Sequence, residues 1–136
     1  MQASEQRLWY EQLQRPSWAP PAWLFGPVWA VLYALIAVSF GYVLYKVCRR
    51  EAPPYLALPL ILNLVFNLSF TPLQFGLRSN ALAAADVILT LATLIWALVV
   101  LWPRFQWAAL ANIPYLLWVS FATVLQLTIT WLNRGR

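Results

Sequence analysis

The sequence predicts an all-α protein, an integral membrane bundle of four transmembrane helices running up and down behind an N-terminal Trp/Pro-rich surface loop. Three observations carry that reading. Of the 136 residues 62% are hydrophobic and only 10% charged, against about 25% charged in an ordinary soluble domain. The charged residues, nine basic and four acidic, lie almost wholly between four apolar stretches, 23–45, 55–77, 81–102 and 107–132. Each stretch has at least 22 residues, and about 20 apolar residues suffice to cross a bilayer as a helix. Asp86 alone among the charged residues falls inside a span.

Residues 1–22 form the interfacial segment and loop, and 23–136 the transmembrane domain. The first 22 residues contain no apolar run of the kind that builds a signal peptide. Within 15–22, Pro16, Pro20 and Pro21 hold themselves and their preceding residues away from helix, so an ordered, extended loop on the membrane surface is expected. The connections at 46–54, 78–80 and 103–106 are short and force antiparallel neighbours. Pro27, Pro72 and Pro114 lie within the spans and are expected to kink them, opening room between helices.

The net charge of +5 reads as headgroup anchoring rather than nucleic-acid binding, because the basic residues flank the spans. Lys and Arg divide five to four between the two sides, which leaves the orientation open. Cys48 beside Arg49 and Arg50 reads as a free thiol ahead of an acylation site. With no histidine and one cysteine, imidazole or thiolate metal sites are excluded.

Of the nine tryptophans, six lie at or beyond span ends, where indole favours the interface: Trp9, Trp18, Trp23, Trp102, Trp107 and Trp131. Trp29, Trp96 and Trp118 lie deeper. Residues three and four apart share a helical face, and three polar or aromatic stripes follow. The first span carries Trp29, Tyr33, Ala37 and Phe40. The second carries Asn63, Asn67, Phe70, Thr71 and Gln74, and the fourth Tyr115, Trp118, Ala122 and Gln126. Such faces turn away from lipid. They read either as interhelical glue or as an aromatic-walled cavity with a few fixed polar groups. Asp86, six residues into its span, is expected to pair with Arg78 or another flanking base rather than to carry protons.

The run WYEQLQRPSWAPPAWLFGPVWAVLY at 9–33 resembles the signature loop and following helix of the translocator protein family, also called tryptophan-rich sensory protein. NLSFTPLQFG at 67–76 is similar to the family's next helix, and PYLLWVSFATVLQLTITWLN at 114–133 resembles its final one. The resemblance implies a membrane bundle, often a homodimer, that binds tetrapyrroles such as protoporphyrin and, in some members, sterols and drug-like molecules. Carried over by motif, the ligand-binding residues are Tyr10 and Pro20 from the loop, Trp29, then Asn67 and Phe70, then Trp118 and Ala122. Trp29 and Trp118 match the two indoles linked to porphyrin photochemistry in the family. The chain departs from the family in beginning where the second of five helices begins, in Phe70 where many members have Trp, and in Gln126 where most have Asn. The expected consequence is that a second copy or another membrane protein covers the side left by the first helix, satisfying groups such as Asn63 and Asn67 that would otherwise meet lipid.

Three function classes follow. The favoured one is a tetrapyrrole-binding sensory, regulatory or pigment-handling protein with no obligatory cofactor. The alternative is a structural or accessory subunit of a larger membrane, conceivably pigment–protein, complex. A small transporter would rest on Asp86 alone. A conventional enzyme is disfavoured: the chain has no histidine, no base placed beside a nucleophile and no phosphate-cradling glycine loop. Any tetrapyrrole would be held by stacking, hydrogen bonds and apolar contact, without a histidine ligand to iron.

Overall fold

The computed structural model describes residues 13–71, 73, 77 and 79–133. Among them the elements are α1 (Ala22–Cys48), a 3₁₀ turn (Pro54–Leu56) leading into α2 (Ala57–Thr71), α3 (Asn80–Leu101), the short α4 (Gln106–Ala111) and α5 (Ile113–Leu132). Trp23–Cys48, Asn80–Leu101 and Ile113–Leu132 are each long and apolar enough to cross a membrane, and Pro54–Phe70 is a shorter apolar helix. The protein is an all-helical, multi-pass integral membrane bundle.

The helix ends follow from local chemistry. Pro21 is extended and precedes α1, as a residue with fixed φ and no donor should. Ser79 accepts from the Leu82 amide at 3.1 Å and caps α3. At the end of α1 the Arg50 amide reaches the Val47 carbonyl and the Glu51 amide the Lys46 carbonyl, with Arg50 at φ 59°. That pair of bonds is the Schellman arrangement, and Arg50 stands where glycine is the usual occupant.

The fourth span is broken. Asn112, at φ −101° and ψ 10°, ends α4 and begins α5. The expected kink at Pro114 is replaced by a helix start, because Pro114 falls in the first turn of α5. There its missing N–H leaves no bond unmade. Asn112 stabilises the break by donating from Nδ2 to the Ala108 carbonyl at 2.8 Å and to Ser39 Oγ of α1 at 2.7 Å. Pro72 lies outside the described residues.

One core joins the helices. The ridge Leu32, Ile36, Phe40 and Val43 of α1 meets Leu56 and Leu60, Val87, Leu94, Ala97 and Leu101 of α3, and Tyr115 and Val119 of α5. Lipid supplies no hydrophobic drive for this association, so close packing and satisfied polar groups must hold it. Both are present: Ala97 and Ala108 are fully buried, and side-chain hydrogen bonds cross between helices.

The N-terminal loop is ordered, with a turn closed by the Ala19 amide on the Pro16 carbonyl at 3.0 Å. It packs on α5. Leu13 is buried against Leu125 and Ile129. Asn133 accepts from the Gln14 amide at 3.1 Å and donates to the Gln14 carbonyl at 2.9 Å.

Candidate functional site

The polar stripes converge on a buried hydrogen-bond chain that spans four helices. Tyr33 of α1 donates to Asn67 Oδ1 at 2.9 Å, and Asn67 Nδ2 donates to the Tyr115 hydroxyl at 2.7 Å. Tyr115 donates onward to Asn63 Oδ1 at 2.8 Å. Asn63 Nδ2 then reaches the Thr90 carbonyl at 2.9 Å and Thr93 Oγ1 at 3.2 Å on α3. Tyr115 and Asn63 are wholly buried, and Asn67 is 6% exposed. Asn63 and Asn67 face the interior, as their stripe predicts, and neither needs a covering partner to be kept from lipid. Both amides are bonded inside the bundle, because their face of α2 is turned to α3 and α5.

Above this chain lies an aromatic wall. Trp29 packs on Tyr33 with ring centroids 5.4 Å apart and meets Tyr115 edge-on at 6.4 Å. One turn nearer the loop, Phe25 of α1 meets Trp118 of α5 at 5.8 Å, Trp118 lies 5.6 Å from Phe121, and Phe121 is edge-on to Trp18 of the loop at 5.8 Å. The wall thus runs from loop to α5 to α1. The Trp118 Nε1 proton is buried and has no acceptor among the described residues. An unsatisfied donor of this kind costs about 1–3 kcal/mol, so it is a position where a ligand acceptor gains most.

The structure places the motif-derived residues as follows. Trp29, Phe70, Trp118 and Ala122 are half-buried and pack against one core cluster. Asn67 bonds the hydroxyls of Tyr33 and Tyr115, whose rings pack on Trp29. Pro20 is buried in the loop and helps line a pocket of about 430 Å³ formed by loop residues between Leu13 and Pro21. Tyr10 lies outside the described residues.

Phe25, Phe121 and Trp18 were not singled out for the site from sequence. Phe25 is four residues before Trp29 and Phe121 three after Trp118, so helical spacing holds the signal for two of them. Nothing in the sequence marks Trp18 as a partner of Phe121 rather than an interfacial anchor.

Asp86 is 5% exposed, and among the described residues its Oδ2 has no partner and no cation pairs with it; the pairing expected with Arg78 falls on a residue outside the described ones. Asp86 shares the inward face of α3 with Thr90, whose hydroxyl bonds the Asp86 backbone carbonyl at 2.9 Å. Gln126, also buried, reaches α3 through the Asn80 carbonyl at 3.4 Å and bonds Thr130 at 3.2 Å. No group of three or more potential metal ligands occurs among the described residues.

The sequence profile of the TspO/MBR family matches residues 1–132. The chain is 35% identical over 127 residues to the tryptophan-rich protein TspO of Bacillus cereus, covering 93% of this chain and 82% of that one. It is 33% identical over 133 residues to a tryptophan-rich sensory protein of Cereibacter sphaeroides (94% and 78%). Against the translocator protein of Homo sapiens it is 33% identical over 132 residues (93% and 76%). The chain belongs to the TspO/MBR family.

Proposed function

We propose that the protein binds a flat, hydrophobic, acceptor-bearing ligand of the tetrapyrrole class against the Trp18–Phe121–Trp118–Phe25 wall, in a sensory, regulatory or pigment-handling role. The observation that carries this reading is the buried Trp118 N–H without an acceptor. A porphyrin offers what the wall lacks: a large π surface for offset or edge contact with indole and phenyl rings, and carboxylate or carbonyl oxygens for that N–H. Ala122, one turn beyond Trp118 on the same face of α5, packs with it against the core cluster. Trp29 extends the aromatic surface along α1, and the Tyr33–Asn67–Tyr115–Asn63 chain fixes the helices that present it.

Within this reading Asn67 positions the helices, its carbonyl oxygen accepting from Tyr33 and its amide donating to Tyr115, and keeps one N–H for a ligand. The protein contributes shape and donors, and any chemistry belongs to the bound pigment. Names borne by relatives, a sensory protein in Cereibacter sphaeroides and a translocator protein in Homo sapiens, agree with a ligand-responsive membrane protein rather than an enzyme.

The test is titration of the detergent-solubilised protein with protoporphyrin IX, reading indole fluorescence. Saturable quenching in the wild type, weakened in Trp118→Ala and in Trp118→Phe, supports the proposal. Saturable quenching that persists unchanged in Trp118→Ala and Trp29→Ala would refute it, as would a linear response typical of partition into micelles.

A further inference from the structure

We infer that the end of the bundle formed by the α1–α2 turn and the α3–α4 turn is a recognition face for anionic phospholipid headgroups, with Arg50 and Arg104 as its phosphate-binding side chains. Four cations, Lys46, Arg49, Arg50 and Arg104, fall within these two short turns or at their edge. The one carboxylate among them is already shared. Lys46 Nζ bonds Glu51 Oε2 at 2.8 Å and Arg49 Nε approaches Glu51 Oε1 at 3.3 Å. Arg50 and Arg104 are exposed and have no ion-pair partner among the described residues.

The two turns are joined into one surface. Ala52 is buried in the same cluster as Leu101 and Ala108. Tyr42 meets Phe105 edge-on at 6.1 Å and Trp107 at 5.5 Å, while Lys46 Nζ sits 5.4 Å over the Tyr42 ring. Exposed Tyr45, Tyr55, Trp102 and Trp107 place an aromatic belt at the same level, which is where headgroups begin. In a protein that spans the bilayer, cations at that level face lipid phosphates.

Backbone conformation adds a separate argument. Arg50 holds φ 59°, a left-handed conformation that is unfavourable for an L side chain and open to glycine. The arginine therefore stands in this turn against local backbone preference. Its guanidinium offers several donors to a phosphate, which glycine cannot.

The experiment uses the full chain in bilayers with spin-labelled phosphatidylglycerol and phosphatidylcholine, reading relative association at the protein surface. The wild type should prefer phosphatidylglycerol. Arg50→Gly and Arg104→Gln should each lower that preference about fivefold, the factor for one basic residue near an acidic surface. Arg50→Gly should also unfold at the same or a higher temperature than wild type, which separates lost recognition from lost folding; Arg50→Asn is a second variant that tolerates the same φ. Removing two charges from the tail by Arg134→Gln with Arg136→Gln should leave the preference unchanged. Equal preference in Arg50→Gly and wild type, an equal loss in the tail variant, or displacement of the lipid by inorganic phosphate at equal concentration would overturn the inference.

Discussion

Tyr115→Phe removes one oxygen from the centre of the bundle and is the most informative single change. That hydroxyl accepts from Asn67 Nδ2 at 2.7 Å and donates to Asn63 Oδ1 at 2.8 Å. Both partners are buried, so neither finds water when the oxygen is gone. A buried group left unsatisfied costs about 1–3 kcal/mol. Interhelical bonds in membranes average nearer 0.6 kcal/mol, because the separated helices find other partners. Two groups orphaned by one atom put the loss at about 2–3 kcal/mol. Tyr33→Phe orphans only Asn67 Oδ1, beside a ring that is 41% exposed, and should lose about 0.5–1 kcal/mol. Unfolding in mixed micelles of rising dodecyl sulfate fraction, followed by circular dichroism, gives both values. A Tyr115→Phe variant as stable as wild type, or one no weaker than Tyr33→Phe, would show that the chain does not hold the helices together.

Asn133→Ala should free the N-terminal loop without unfolding the bundle: Gln14 loses both bonds to that side chain, and hydrogen exchange at its amide should rise about tenfold or more, the ratio that follows from ~1.4 kcal/mol. Asn112→Ala removes donors to Ser39 and Ala108 and should lower stability by about 1–2 kcal/mol, measured in the same mixed micelles. Asp86→Asn replaces a buried carboxylate that has an unpaired oxygen with a neutral isostere, and its unfolding midpoint should equal or exceed that of wild type. The hydrogen bond from Lys46, then its charge, holds the Glu51 carboxyl below the usual glutamate value. A depressed value means that its contribution is present at neutral pH and is lost as pH falls through the folded value. Carbon NMR of Glu51 should show titration below the ordinary range, moving up toward it in Lys46→Met.

Much of the hydrogen-bond chain was legible before the fold was known. Helical spacing put Trp29 with Tyr33, Asn63 with Asn67, and Tyr115 with Trp118 on common faces, and those faces meet in the structure. The choice between glue and cavity was not legible, since spacing fixes a direction and says nothing of which partner waits there. Asn67 bonds Tyr33 and Tyr115 across the helices, while the Trp118 N–H has no acceptor among the described residues. Pro114 read as an interior kink because the apolar run from 107 to 132 is unbroken, whereas an asparagine that hydrogen-bonds across to α1 ends one helix and lets the proline start the next. The docking of the loop was hidden for a related reason. Proline content predicts extended backbone, but the Gln14–Asn133 clasp joins positions 119 residues apart. The burial of Asp86 was not legible from its distance along the helix, which says nothing of the rotation that turns it inward.

The central claim is that the Trp118 indole N–H binds the ligand's acceptor, and indole-selective nitrogen NMR reads it directly. Protein labelled with ¹⁵N at tryptophan is titrated with protoporphyrin IX, and Trp118→Phe assigns the resonance. The account predicts that the Trp118 N–H signal moves downfield and saturates with the ligand as the proton gains an acceptor, while Trp102 and Trp107 at the far end do not move. A saturating response at Trp102 and Trp107 with Trp118 unmoved would contradict it.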